Sequence, residues 1–107
     1  MQIANALDAR DASGHQLLYR IVCVLVDHPS EVAILAEAGI DGATLLVTTH
    51  PEDVGKVIGS QGRTARALRA IMGGVGKKLG RRFTVLIQES DRRPEQVAAS
   101  SRENLSL

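Results

Sequence analysis

Apolar residues recur at helical spacing from His15 to His28, where Leu17, Leu18, Ile21, Val22 and Leu25 share one face. The Ile-Val-Cys-Val-Leu-Val run inside it also suits a buried strand, since β-branched residues favour sheet. Its length favours a helix, and Pro29 supplies a stop. The period then changes. Glu31 to Ala38 alternates loosely through Val32, Ile34 and Ala36, and Ala43 to Thr49 alternates around Leu45 and Val47. Gly39-Ile40-Asp41-Gly42 between them has turn chemistry, so an antiparallel hairpin is predicted. His50-Pro51-Glu52-Asp53 reads as a helix start, with proline in the first turn and two carboxylates at the positive end of the dipole. That helix is short, carries Val54, Val57 and Ile58 on one side, and stops at Gly59. A second helix is predicted from Gly62 to about Lys78. Its Leu68, Ile71, Met72 and Val75 fall within roughly one 100° arc, and Arg63, Arg66, Arg69 and Lys77 within another of about 120°. Arg82 to Gln88, with Phe83, Val85 and Ile87 alternating, is a strand.

The flanks lack such patterns. Residues 1–14 are mixed and are expected to form a flexible leader. Residues 90–107 are polar without a sustained apolar face and are expected to be a disordered tail. The folded unit is placed at 15–89, enough for one hydrophobic core. The longest apolar run, Ile21 to Val26, has six residues, far from the roughly 18 that span a membrane. With no secretory signal pattern at the N-terminus, a cytoplasmic protein is expected. The single cysteine, Cys23, has no internal disulfide partner and reads as a small buried hydrophobe.

Charge sharpens the picture. The net charge of +1 conceals an acid-free stretch from Lys56 to Arg82 with eight basic residues, while the rest of the chain has a balance of −7. Solvated helices ordinarily mix signs, so a local basic patch is the relevant quantity. Catalytic chemistry has no visible home. There is no metal-ligand spacing, no phosphate loop of the Gly-x-x-x-x-Gly-Lys-Ser/Thr type, and no nucleophile paired with a base. His15, His28 and His50 are scattered and read as capping or surface residues. No catalytic residue, metal ligand or cofactor is assigned, and an enzyme is not expected.

At the start of the basic stretch lies Val57-Ile58-Gly59-Ser60-Gln61-Gly62-Arg63-Thr64, a G-x-x-G loop between two helices. K-homology (KH) modules hold about four nucleotides of single-stranded RNA with such a loop. The element order and the run Pro51-Glu52-Asp53-Val54-Gly55-Lys56-Val57-Ile58-Gly59-Ser60-Gln61-Gly62-Arg63 resemble the type II KH fold and, more narrowly, the single-KH proteins of the KhpA family. The resemblance covers about residues 17–88. It implies an α+β fold of order α-β-β-α-α-β, with a three-stranded mixed sheet and helices on one face. It also implies RNA binding without chemistry, in post-transcriptional control or as an RNA chaperone, with links to cell shape. The family often has lysine directly after the first glycine. Here that place is Ser60, which loses one point charge but keeps a donor.

The binding residues expected on this reading are Lys56, Val57, Ile58, Gly59, Ser60, Gln61, Gly62, Arg63 and Arg66. Phosphates would lie on Gly59 to Gly62, cations would flank them, and Val54, Val57, Ile58 and Leu46 would form an apolar floor for bases. Val57 and Ile58 are equally readable as core. Tyr19 and Phe83 are the only rings besides the histidines, so aromatic stacking is not the expected mode. A competing reading is a protein-interaction module that pairs with a second KH-domain protein or with itself as a homodimer, RNA contact being incidental.

Overall fold

Asp8 starts the first helix. Its carboxylate accepts the Arg10 N–H at 2.7 Å and caps α1, Ala9–Leu25. The computed structural model describes residues 7–89; the proposed polar tail at 90–107 and residues 1–6 of the proposed leader lie outside them. Residues 9–14, assigned to the leader, are helical, so α1 begins six residues before His15. Periodicity missed this turn because its buried positions are Asp11 and Gly14, neither of which reads as apolar. Asp11 is fully buried and accepts two hydrogen bonds from Arg81, at 2.9 and 2.8 Å. Gly14 lies directly against the Phe83 ring, where a side chain would collide.

Pro29–Glu31 forms a 3₁₀ turn after α1. Strands β1, Ala33–Ala38, and β2, Gly42–Thr48, make the expected antiparallel hairpin, with Ile34 opposite Val47. A 3₁₀ turn at Pro51–Asp53 leads into α2, Val54–Ile58; α3 is Arg63–Leu79 and β3 is Arg82–Ile87. β3 runs parallel to β2, giving a mixed sheet of order β1-β2-β3. The three helices cover one face. Leu18 and Val22 of α1, Val57 of α2, and Leu68 and Met72 of α3 form one cluster with Leu45, Val47 and Val85. The architecture is thus the expected α+β, type II KH arrangement.

Three details differ from the sequence reading. Ile71, placed on the apolar arc of α3, is exposed, and Ala65 and Gly76 are buried on that helix instead. Leu46 lies on the uncovered face of the sheet, between Leu35 and Leu86 in register, and so cannot floor a groove on the helical side. Arg81, counted in the basic patch, is internal. Besides Asp11 it donates to the carbonyls of Gly39, Ile40 and Gly42, tying the hairpin turn to α1.

Candidate nucleic-acid interface

α2 ends where Gly59 turns to φ 79°, with its N–H donating to the Gly55 carbonyl at 2.8 Å. A tight turn of Ser60–Gly62 follows, in which Gln61 has φ 55° and Gly62 has φ 74°, and α3 begins at once. Glycine at 59 is required twice over. Its φ disfavours other residues, and a Cβ would strike the Thr64 side chain. Gln61 is the one non-glycine residue with positive φ among the described residues. Its conformation is braced by Arg66, which donates to the Gln61 carbonyl at 3.0 Å, and by Arg63, which donates to Gln61 Oε1 at 3.0 Å. The N–H groups of Ser60 and Gln61 come before the first hydrogen bond of the turn and have no partner within it. With the positive end of the α3 dipole behind them, they form a concave donor set suited to an anion.

The start of α2, the helix that leads into the loop, is anchored by Asp53. This carboxylate is fully buried. It accepts the N–H of Asp27 (3.2 Å), the N–H of His28 (2.9 Å) and His28 Nδ1 (2.9 Å), and it pairs with Lys56 Nζ at 3.3 Å. Burial by itself would push the Asp53 carboxyl up; the His28 ring, the two backbone donors and Lys56 together reverse this and hold it well below the usual carboxylate range. The same hydrogen bond raises His28 above 6.5. Lys56 is raised by Asp27, 3.3 Å away, and by Asp53. His50 Nδ1 accepts the Glu52 N–H at 3.0 Å, and its ring stacks on His28 with centroids 3.9 Å apart and planes 12° from parallel. His28, His50 and Glu52 bring three ligand-type atoms within 4.8 Å of one another. The near-parallel rings point their in-plane lone pairs side by side rather than at one point. The capping bond at Nδ1 also leaves the neutral His50 proton on Nε2. The trio is a stacked cap rather than a ligand set.

The residues expected at the interface therefore divide. Gly59, Ser60, Gln61, Gly62, Arg63 and Arg66 form one continuous surface at the start of α3. Ile58 is half-buried beside them, whereas Val57 is fully buried and belongs to the core. Lys56 is half-exposed but committed to two carboxylates. Sequence reading missed three contacts around the site: Asp53 with His28 at the start of α2, Thr64 filling the space at Gly59, and Arg69 on the β3 edge. Arg69 Nε donates to the Val85 carbonyl at 3.1 Å. That carbonyl lies on the free edge of the sheet, because the even-numbered residues of β3 face β2, as Arg82 N–H to Asp41 and Gln88 N–H to Val47 show. α3 and the free edge of β3 thus run side by side, and Arg69 bridges the groove between them. Only the alternation of Arg82 to Gln88 signalled β3, and nothing local marked it as an edge.

A glycine loop between two helices, over a sheet of this topology, defines a KH domain. The sequence profile of the family described as KhpA/KhpB, KH domain, matches residues 15–87, and the chain belongs to that family. Among similar curated proteins, the RNA-binding protein KhpA of Streptomyces coelicolor is 44% identical over 61 residues, covering 57% of this chain and 77% of that protein. The protein of the same name from Listeria monocytogenes is 39% identical over 74 residues, 69% of this chain and 97% of its own. That of Bacillus subtilis is 39% identical over 66 residues, 62% and 82% respectively. The family is one of RNA-binding proteins rather than enzymes. No solved structure matches the chain significantly. Among the described residues no helix is long and apolar enough to cross a membrane.

Proposed function

We propose that this protein binds single-stranded RNA at the glycine loop and along the α3–β3 groove, as a cytoplasmic post-transcriptional regulator or RNA chaperone. The observation that carries the reading is the loop itself: two positive-φ glycines and a positive-φ Gln61 present backbone donors at the head of an acid-free helix. Gly59 to Gly62 take the phosphates, and Arg63 and Arg66 add charge from the first turns of α3. Bases lie over Ile58 and the polar groups of the β3 edge. Relatives named RNA-binding protein KhpA support RNA as the ligand.

The test is fluorescence anisotropy with labelled single-stranded RNA, comparing the native protein with Ser60→Asp/Gln61→Asp. Both positions are exposed, and aspartate tolerates the left-handed conformation of Gln61. Two carboxylates facing phosphate should lower affinity more than tenfold while circular dichroism stays unchanged. Equal binding by both proteins would place RNA elsewhere. For three or four neutralised phosphates, log K should fall against log salt with a slope of roughly −2 to −3.

A second reading has one observation in its favour. Leu35, Leu46 and Leu86 form a row across the uncovered face of the sheet, with Leu35 68% and Leu86 47% exposed. Such a row suits a protein partner, a second KH-domain protein or another copy of the chain. An RNA-free complex that resists high salt, beside negligible RNA affinity, would favour it.

A further inference from the structure

The glycines near the end of α3 do not share one explanation. An interior glycine costs a helix about 1 kcal/mol relative to alanine, yet α3 runs unbroken through Gly73, Gly74 and Gly76. Gly76 is accounted for, because a Cβ there would strike the Arg81 carbonyl. At Gly73 a Cβ would meet nothing within 4 Å, so no contact inside the protein asks for glycine. What Gly73 does is border a cleft of about 380 Å³ between the last turns of α3 and the start of β3. Phe83 and Gly76 line the cleft, together with the cations Lys77 and Arg82 and the carboxylate of Asp41.

Both cations are exposed. Lys77 is in no ion pair among the described residues. Arg82 approaches Asp41 only at 3.7 Å, with both side chains about four-fifths exposed, a surface contact that holds neither firmly. Three other cations of the acid-free stretch are committed elsewhere: Lys56 to Asp27 and Asp53, Arg81 to Asp11, Arg69 to the β3 edge. At 100° per residue, Arg66, Arg69, Gly73 and Lys77 fall on one stripe of α3. This stripe starts at the glycine loop, borders the groove and ends at the cleft. Fourteen residues separate Arg63 from Lys77, which is about 21 Å of helix.

We infer that the cleft is a second phosphate subsite. An RNA strand anchored at Gly59 to Gly62 continues along the α3–β3 groove and is held again by Lys77 and Arg82 at its far end. The inference rests on the RNA reading above and extends its footprint beyond the nucleotides that the loop can hold. Gly73 leaves the helix backbone bare where the strand crosses it.

The experiment compares 5- and 14-nucleotide labelled oligouridine probes on the native protein and on Lys77→Ala/Arg82→Ala. Comparing proteins on the same probe cancels the statistical gain of a longer strand. The variant should bind the 14-mer roughly tenfold more weakly and the short probe within about twofold of native, with unchanged melting. Its 14-mer salt slope should be shallower by about 1.4, the share of two cations on a single strand. Equal 14-mer affinity and slope in both proteins would overturn the subsite and leave the glycine loop as the whole site. Failure of the native protein to bind either probe would overturn both readings.

Discussion

The two ends of α3 are each anchored by a buried aspartate, yet they are built for different loads. At the loop end Asp53 gathers His28, Lys56 and two backbone N–H groups, and what it fixes is the start of α2, the helix that leads into a strained, exposed turn. At the far end Asp11 takes a two-pronged bond from Arg81, and what it fixes is the hairpin turn and the first turn of α1. One anchor serves a surface that must meet a ligand; the other closes the fold. Residue type does not distinguish them, since each end offers glycines, arginine and lysine. Conformation does. Gly59, Gln61 and Gly62 of the loop all have positive φ, while at the far end Gly73, Gly74 and Gly76 are helical and only the capping Gly80 is left-handed.

The largest expected effects come from filling glycines that admit no side chain. Gly59→Ala should abolish detectable RNA binding and destabilise the fold by about 1–2 kcal/mol from the left-handed conformation alone, more with the Thr64 collision. Gly76→Ala meets the Arg81 carbonyl instead and should lower the melting temperature with little change in RNA affinity per folded molecule. Denaturant melts with anisotropy on both variants test the contrast; equal loss of affinity in both would mean that the two ends are not separable.

Much of this was readable in advance, and the exceptions share a cause. The hairpin, α3 and β3 followed from periodicity, and the loop from its glycines and the basic helix after them. The first turn of α1 was missed because Asp11 and Gly14 are buried there, one through a long-range partner and the other through a ring 69 residues away in the chain. Arg81 read as a patch cation for the same reason, its carboxylate Asp11 coming from a distant segment, and so in part did Lys56, which pairs with distant Asp27 as well as with Asp53 three residues before it. Val57 read as a groove residue because five residues are too few to fix which side of α2 faces inward. Leu46 was misplaced by the converse error, a sheet face that an alternating pattern leaves unassigned. Local chemistry was legible; pairing at a distance was not.

A smaller effect of opposite sign is expected at Gly74, where a Cβ meets nothing within 4 Å and φ is not positive. Gly74→Ala should stabilise the protein by about 0.4–1 kcal/mol, largely by restricting the unfolded chain, with binding of a 5-nucleotide RNA unchanged. Destabilisation in a urea melt would mean that the far end of α3 needs its glycines for reasons other than space.

The subtlest difference between the anchors is their response to pH. The Asp53 hydrogen bond raises His28 above 6.5 in the folded protein. A folded value raised above the unfolded one contributes stability that is complete below about pH 6.5 and fades as pH climbs through the folded value. Asp53 works in the other direction: its depressed carboxyl contributes above the ordinary aspartate range, near 3.8, and its share is lost on acidification. The loop-end anchor is therefore strongest between these limits and weakens on the alkaline side through His28. Arg81 keeps its charge throughout, raised further by Asp11. Replacing His28 by Gln should thus produce a melting-temperature deficit that shrinks from about pH 6 to pH 9. Arg81→Lys, which loses the two-pronged bond but keeps the charge, should show a deficit that stays level over the same range. Parallel profiles would show that the histidine is held by shape alone, and that the two ends of α3 differ in their exposure to ligand but not in their anchoring.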